Sequence, residues 1–428
     1  MSALSERDKE FVWHPFTQAK TSLPPLAVIK AQDAWLFTED GKKYLDANSS
    51  WWTVLHGHGN KYIADAIHKQ FLELDHVIFA GVTHPKAVEL SERILKLTNR
   101  HHHKVFFSDN GSTSVEVAIK MVYQYWFNLG QPKKRFLAIE GAYHGDTFGA
   151  MSVGQRGNFN QPFEHLFFDV DFVDFPSSED YDSTLAAIEK LFATGDFAGF
   201  IFEPLVQGAA GMRMYSKDWL NAAISLAKKY HVLTIADEVM TGFYRTGTFF
   251  AMDQVEQKSD IVCLSKGLTG GILPLGLTLA TQKIFDAFLA EETVKALLHG
   301  HSFTGNALAS AASCASLDLL EEEASQKKVQ RISDAHLRFV KAHQNNPALR
   351  DVRAMGTILA VELEIGEQSS YFTSIRDKAY NYFLERGFLI RPLGNIIFVN
   401  PPYCISDEEV QLLHQVILDF VEEEGRKD

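Results

Sequence analysis

Between Lys104 and Ala280 the chain alternates short β-rich runs with segments mostly of helical length. The runs are KVFFS near Val105, RFLAIEG near Leu137, FAGFIFEPL near Ile201, VLTIADE near Ile235, DIVCLSK near Val262 and GLTLAT near Leu277. Near-continuous apolar runs of this length suit strands buried on both faces, and helical crossovers between them lay the strands parallel. The rhythm predicts a largely parallel, doubly wound α/β sheet. The clearest crossover helix starts at Ser112, where Val115, Ala118, Ile119, Val122 and Trp126 recur at three- and four-residue spacing and form one face for a sheet.

Ala27 to Asp46 alternates around Gly41 and reads as a small antiparallel hairpin or meander. After about Ala307 come two long helical stretches, through Leu320 and then Val329 to His343. Strand-like ILAVEL, a helix from Ser374 to Arg386, FLIRP, NIIFVNPP and a last helix from Asp407 follow. We expect a segment at 1–49 that packs with a small domain, a large domain at 50–310 and a smaller α+β domain at 311–428. A chain of 428 residues, 46% apolar and 22% charged, has material for two such cores.

The net charge of −13 gives no diffuse field for phosphate backbones, which argues against nucleic acid as a partner. Cys263, Cys314 and Cys404 lie far apart and form no C-x-x-C, against both a zinc site and a disulfide framework. A reducing cytoplasm suits them. Met1 to Glu10 lacks the apolar stretch of a signal peptide, and no uncharged run is long enough to cross a bilayer.

Three of the strand-like runs end in a reactive group: Glu203, Asp237 and Lys266. Ligands of open α/β sheets sit at the carboxyl ends of the strands. A lysine directly after an apolar strand, followed by Gly267, Gly270 and Gly271, is an unusual surface choice. Desolvation there lowers its pKa and makes it an amine able to form an imine. Taken alone, its position suits a solvated charge better. Two further features change the balance. Asp237 can bond a pyridinium nitrogen and keep the ring an electron sink. Gly111-Ser112 open a helix whose unpaired N–H groups and dipole suit a phosphate.

Over nearly its whole length the sequence resembles the class-III aminotransferases, of fold type I. The resemblance is carried by SDNGSTSVEVAIKMVYQYW, GAYHGDTFGAMSVG, FEPLVQGAAGM, IADEVMTGFYRTG, LSKGLTGG and HGHSFTGNALA, in that order. It implies pyridoxal 5'-phosphate as cofactor, with Lys266 as the imine lysine and proton shuttle, Asp237 on the ring nitrogen and Tyr143 stacked on the ring. It also implies a phosphate cup of Gly111 and Ser112, completed by Ser302 of a second subunit, and hence a homodimer with shared sites.

WHPFT at Trp13, SSWW at Ser49, YHGDTFGAMSVG, GMRMY at Gly211 and IRPLG at Ile390 resemble the branch of that family serving biotin synthesis. That branch aminates 7-keto-8-aminopelargonate to 7,8-diaminopelargonate. Trp51 and Trp52 then wall a slot for an aliphatic chain, although tandem tryptophans are by themselves more often plain core. Arg391 clamps the terminal carboxylate, Gly300 joins the substrate site, and Asp146 contacts the donor or positions Tyr143.

Members that use S-adenosylmethionine as donor typically carry tyrosine where this chain has Phe16 and Phe398. Relatives that use lysine resemble P-F-T-Q and H-G-H-S-x-T-G-N, both present here. The twin tryptophan and GMRMY keep adenosylmethionine first. An aminotransferase for ω-amines, ornithine or 4-aminobutyrate, a mutase or decarboxylase on the same site, and a non-enzymatic scaffold are the alternatives. Trp51, Trp52 and Arg391 speak against the first, and retention of the lysine, the aspartate and the cup against the last.

The remaining candidates have plainer readings. His101-His102-His103 lacks the spaced ligands of a metal centre and reads as a solvated loop, so no metal is expected. Glu203 is either a supporting partner of the site or a satisfied strand-end carboxylate. Arg245 is expected to brace its loop by pairing with an acid rather than to bind substrate.

Overall fold

The computed structural model describes residues 2–366, 373 and 375–425. Its centre is a seven-stranded sheet. From one edge the order is Lys104–Ser108, Gly276–Ala280, Ile261–Leu264, Leu233–Asp237, Phe197–Phe202, Arg135–Ile139 and Val170–Val173. Only Gly276–Ala280 runs against its neighbours; the other pairings are parallel. The doubly wound sheet expected from the alternation is present.

Every residue of Phe197–Phe202, Leu233–Asp237, Ile261–Leu264 and Gly276–Ala280 is buried, as strands covered on both faces must be. Phe197, Phe200 and Phe202 are fully buried, each contributing about 1.5–3 kcal/mol. The helix Gly111–Asn128 covers one face with Val115, Ala118, Ile119, Val122 and Trp126, all buried. Asn110 caps it, accepting from the Thr113 N–H while the Thr113 side chain returns to the Asn110 N–H. Trp126 is pinned by a 2.9 Å bond from Nε1 to the Ala198 carbonyl, so the helix is tied to the sheet as well as packed on it.

Val28–Gln32, Trp35–Thr38 and Lys43–Asp46 form the expected antiparallel meander, joined in parallel by Phe388–Leu389. Leu349–Met355, Ile358–Leu363 and Ile396–Val399 make a second, antiparallel sheet. The helices Ala307–Glu321, Glu323–His343, Ile375–Glu385 and Asp407–Gly425 belong to this half of the chain. Ser374, expected to start one of them, lies outside the described residues. Ala307–Glu321 is rich in Ala and Ser, which lets it press against Lys61–Glu73, Pro85–Leu97 and the turn at Lys266–Thr269. That packing backs the lysine turn with a rigid rod. None of the described helices is long and apolar enough to cross a membrane.

Candidate active site

The strands before Glu203, Asp237 and Lys266 are neighbours, with Ala236 opposite Phe202 and Asp237 opposite Cys263. The three groups therefore emerge side by side at one edge of the sheet. Lys266 has φ 46, a left-handed conformation that a non-glycine residue holds only at a local cost. The turn is anchored by the Ser265 hydroxyl on the Leu275 carbonyl, at 2.6 Å, and by Gly270 and Gly271, both at positive φ. A Cβ on Gly271 would lie 2.4 Å from the Thr53 carbonyl carbon, so the turn sits directly on the tryptophan segment.

Nζ of Lys266 stands 4.6 Å from the Trp52 ring centroid. Burial pushes its ammonium down to about 8, against the upward pull of Asp237 and Glu203. The free amine is therefore reached much nearer neutrality than for an exposed lysine, which favours imine chemistry.

Asp237 is held from two sides. Oδ2 lies 2.7 Å from Nδ1 of His144, and Oδ1 accepts from the Val239 N–H at 3.1 Å. His144 is buried and its Nε2 has no partner among the described residues. Sequence reasoning quoted His144 inside GAYHG but gave it no role; the histidine next to Tyr143 was the available signal.

Glu203 proves both satisfied and central. Its carboxylate accepts from the N–H groups of Tyr143 and Gly208, at 3.1 and 2.9 Å. Burial raises it to about 7, with Asp237 adding to the rise and His144 opposing it. It ties the backbone beneath Tyr143 to the loop on which Trp52 rests. Tyr143 donates to Asp146 at 3.0 Å, so within this chain Asp146 positions Tyr143. Burial, followed by Asp146, pushes the Tyr143 hydroxyl well above its ordinary range.

At the start of Gly111–Asn128, Asn110 takes the Thr113 N–H, while those of Gly111 and Ser112 have no acceptor among the described residues. The Ser112 hydroxyl bonds Thr147. A Cβ on Gly111 would meet Cγ1 of Val239, two residues beyond Asp237, at 2.7 Å. Two unclaimed donors on a helix dipole, a carboxylate and a desolvated amine on one sheet edge form a donor set that fits a phosphorylated pyridine aldehyde.

The tryptophan pair divides its work. Trp52 is buried between Lys266 and Phe398, whose ring is 5.8 Å away. Trp51 is exposed, with Phe16 at 5.5 Å and the Arg391 guanidinium 5.5 Å from its centroid. Arg391 is exposed and makes no ion pair among the described residues. Gly300 and Ser302 lie on an exposed loop, and the Ser302 hydroxyl bonds nothing in its own chain among the described residues.

Two plain readings need correction. Arg245 braces its loop, but among the described residues no acid pairs with it: its guanidinium donates to Val54 O, Asn400 Oδ1 and Pro401 O and lies over Tyr403. Its burial makes packing against carbonyls the workable arrangement. The triple histidine is not a solvated loop throughout. His102 is buried with Nε2 3.1 Å from the Ser259 carbonyl, and burial pushes its imidazole down to about 3. Among the described residues no group of three or more His, Cys, Asp or Glu is arranged to hold a metal.

A desolvated lysine, a buried aspartate and a helix start with two unclaimed N–H groups, at the carboxyl ends of a doubly wound sheet, suit cofactor-assisted chemistry on amines. The family model for class-III aminotransferases matches residues 16–421, and the chain belongs to that family. The adenosylmethionine-8-amino-7-oxononanoate aminotransferase of Synechococcus elongatus is 45% identical, over 96% of this chain and 98% of that one. The solved structure of the protein so named from Methanocaldococcus jannaschii is 34% identical, with a TM-score of 0.93 over 98% of each chain. An amine transaminase from an uncultivated Pseudomonas species, solved with pyridoxal phosphate bound, is 28% identical. Its TM-score is 0.87, covering 95% of this chain and 97% of that one.

Proposed function

We propose that this aminotransferase converts 8-amino-7-oxononanoate, that is 7-keto-8-aminopelargonate, to 7,8-diaminopelargonate in biotin synthesis. Pyridoxal 5'-phosphate is its cofactor and S-adenosylmethionine its donor, and it works as a cytoplasmic homodimer. One observation carries the reading beyond the family: Arg391, with no acid paired to it among the described residues, stands over Trp51 beside the site that holds Lys266. An apolar wall ending in an unpaired guanidinium suits an aliphatic chain with a terminal carboxylate. The relatives' names agree with it.

Bound pyridoxal phosphate supplies the aldehyde that carries the amino group and the ring that accepts electrons from the donor carbon. The N–H groups of Gly111 and Ser112 would hold its phosphate. Asp237, fixed by His144 and the Val239 N–H, would face the ring nitrogen. Tyr143, steadied by Asp146, would cover a ring face. Nζ of Lys266 would take the proton from the donor carbon and deliver it to the carbon that carried the aldehyde, and its burial-lowered basicity suits such a carrier. Gly300 and Ser302 of a second copy of the chain complete the site. The exposed Leu298 and Phe303 beside them suit burial against that copy.

Lysine is the second reading for the donor. Phe16 and Phe398 each lie against one tryptophan and bring no hydroxyl to the slot. The deciding experiment offers adenosylmethionine and lysine separately with the keto acid and measures diaminopelargonate by mass spectrometry. Turnover with adenosylmethionine alone supports the proposal, and product from lysine alone replaces its donor. No product from either, with turnover of ornithine or 4-aminobutyrate, overturns it.

A further inference from the structure

The backbone around Trp51 is held in a way that residue preferences do not explain. Ser49 and Ser50 have φ 49 and 60, and Trp52 has φ 63. Ser50, with ψ −91, lies where side chains other than glycine are rarely found. A chain keeps such a conformation only where its surroundings over-determine it.

Two buried polar side chains do so. Asp46 is fully buried, and both its oxygens accept from the Ser50 N–H, at 2.8 and 2.7 Å. Oδ2 also accepts from the Ser50 hydroxyl at 3.0 Å and faces Nε2 of His58 at 2.9 Å. Asn48, equally withdrawn from solvent, donates from Nδ2 to the Phe398 carbonyl at 2.9 Å. Its Oδ1 accepts from the Arg391 N–H at 2.8 Å. The Ser49 hydroxyl adds a 2.7 Å bond to the Asn400 carbonyl. One short segment thus carries the indole and grips the backbone that carries the guanidinium.

We propose that Asp46 and Asn48 are positioning residues for the acceptor, setting where Trp51 stands relative to Arg391. The inference rests on the reading of those two as the wall and the carboxylate clamp. Asp46 holds Ser50 against its conformational preference, so Trp51 projects from a fixed point. Asn48 fixes the backbone of Arg391 to the same point. Together they set the distance between the apolar wall and the charge, and with it the length of acid the slot accepts. Asp237 and Tyr143 are held by His144, the Val239 N–H, Glu203 and Asp146, while Lys266 meets this segment through Trp52 and its turn through Thr53, so the donor chemistry is expected to feel the spacing far less than the acceptor does.

The test measures acceptor KM and the single-turnover rate with donor alone, in holoenzyme carrying Asp46→Asn or Asn48→Ala. Acceptor KM is expected to rise roughly tenfold or more, with the donor half-reaction within about twofold of wild type. Trp51→Ala is the control for the underlying reading. If it raises acceptor KM while Asp46→Asn and Asn48→Ala leave it unchanged, the positioning role is refuted and the substrate reading survives. If Trp51→Ala has no effect, both fall together. Equal losses in both half-reactions also overturn the role, since they mark a merely structural one. Should the buried substitutions prevent folding, His58→Ala removes one partner of Asp46 at a partly exposed side chain. It is expected to raise acceptor KM severalfold, and an unchanged value counts against the role.

Discussion

Oδ2 of Asp237 lies 2.7 Å from Nδ1 of His144, and neither side chain reaches solvent to any extent. The carboxylate of Asp237 is therefore fixed in direction by an imidazole whose other nitrogen is left without a protein partner among the described residues. His144→Phe keeps the volume and removes the bond. We expect a fall in kcat of about 10–100-fold with the protein folded, checked by steady-state kinetics beside the deeper loss in Asp237→Asn.

Lys266→Ala is expected to abolish turnover. Borohydride treatment of the wild-type protein with pyridoxal phosphate should fix the cofactor to the peptide containing Lys266, and peptide mass mapping reads this. Near-normal activity in the variant would remove the basis of the site.

The same lysine makes a prediction about stability. Burial lowers its folded pKa to about 8 from the ordinary 10.5, so between those values the unfolded chain binds more protons than the folded one. Stability without cofactor therefore gains from this group as pH rises through that window, and its protonation costs stability below it. Lys266→Met should raise the Tm of cofactor-free protein at pH 7. The advantage should shrink by pH 10, as thermal melts across that range would reveal.

Arg391→Ala is expected to raise acceptor KM about 100-fold while the donor half-reaction keeps its rate. Arg391→Lys should recover only part of the loss, because an ammonium gives a point charge rather than a fork. Equal damage to both half-reactions would place the guanidinium elsewhere in the mechanism.

The N-terminus of Gly111–Asn128 can be tested by a clash. A methyl group on Gly111 meets Val239 at 2.7 Å, so Gly111→Ala should push the two unclaimed N–H groups aside and weaken cofactor binding about tenfold. Gly111→Ala with Val239→Ala should recover most of it in a spectroscopic titration with pyridoxal phosphate.

Much of this was legible from the residues, and the limits have physical causes. The apolar runs ending in Glu203, Asp237 and Lys266 carried both the sheet and the reactive edge, because strands buried on both faces leave few alternatives. The stripe from Val115 to Trp126 placed the crossover helix, while its cap at Asn110 emerged with the structure. What stayed hidden depends on the third dimension. His144 became visible only when its ring met Asp237, 93 positions away. Arg245 was expected to find an acid, yet a fold that surrounds it with the carbonyls of Val54 and Pro401 satisfies it otherwise. Nothing local separates Trp51 from Trp52. Their unlike exposures follow from left-handed backbone at Ser49, Ser50 and Trp52, which residue preferences would not suggest.

The strand Gly276–Ala280 runs backwards between Lys104–Ser108 and Ile261–Leu264. Two strand spacings, about 10 Å, therefore separate the strand that leads into Gly111 from the strand that leads to Lys266. The reversed strand works as a spacer: being antiparallel to both neighbours, it leaves those two strands pointing the same way, so the helix start at Gly111 and the turn at Lys266 open onto the same edge of the sheet without being immediate neighbours.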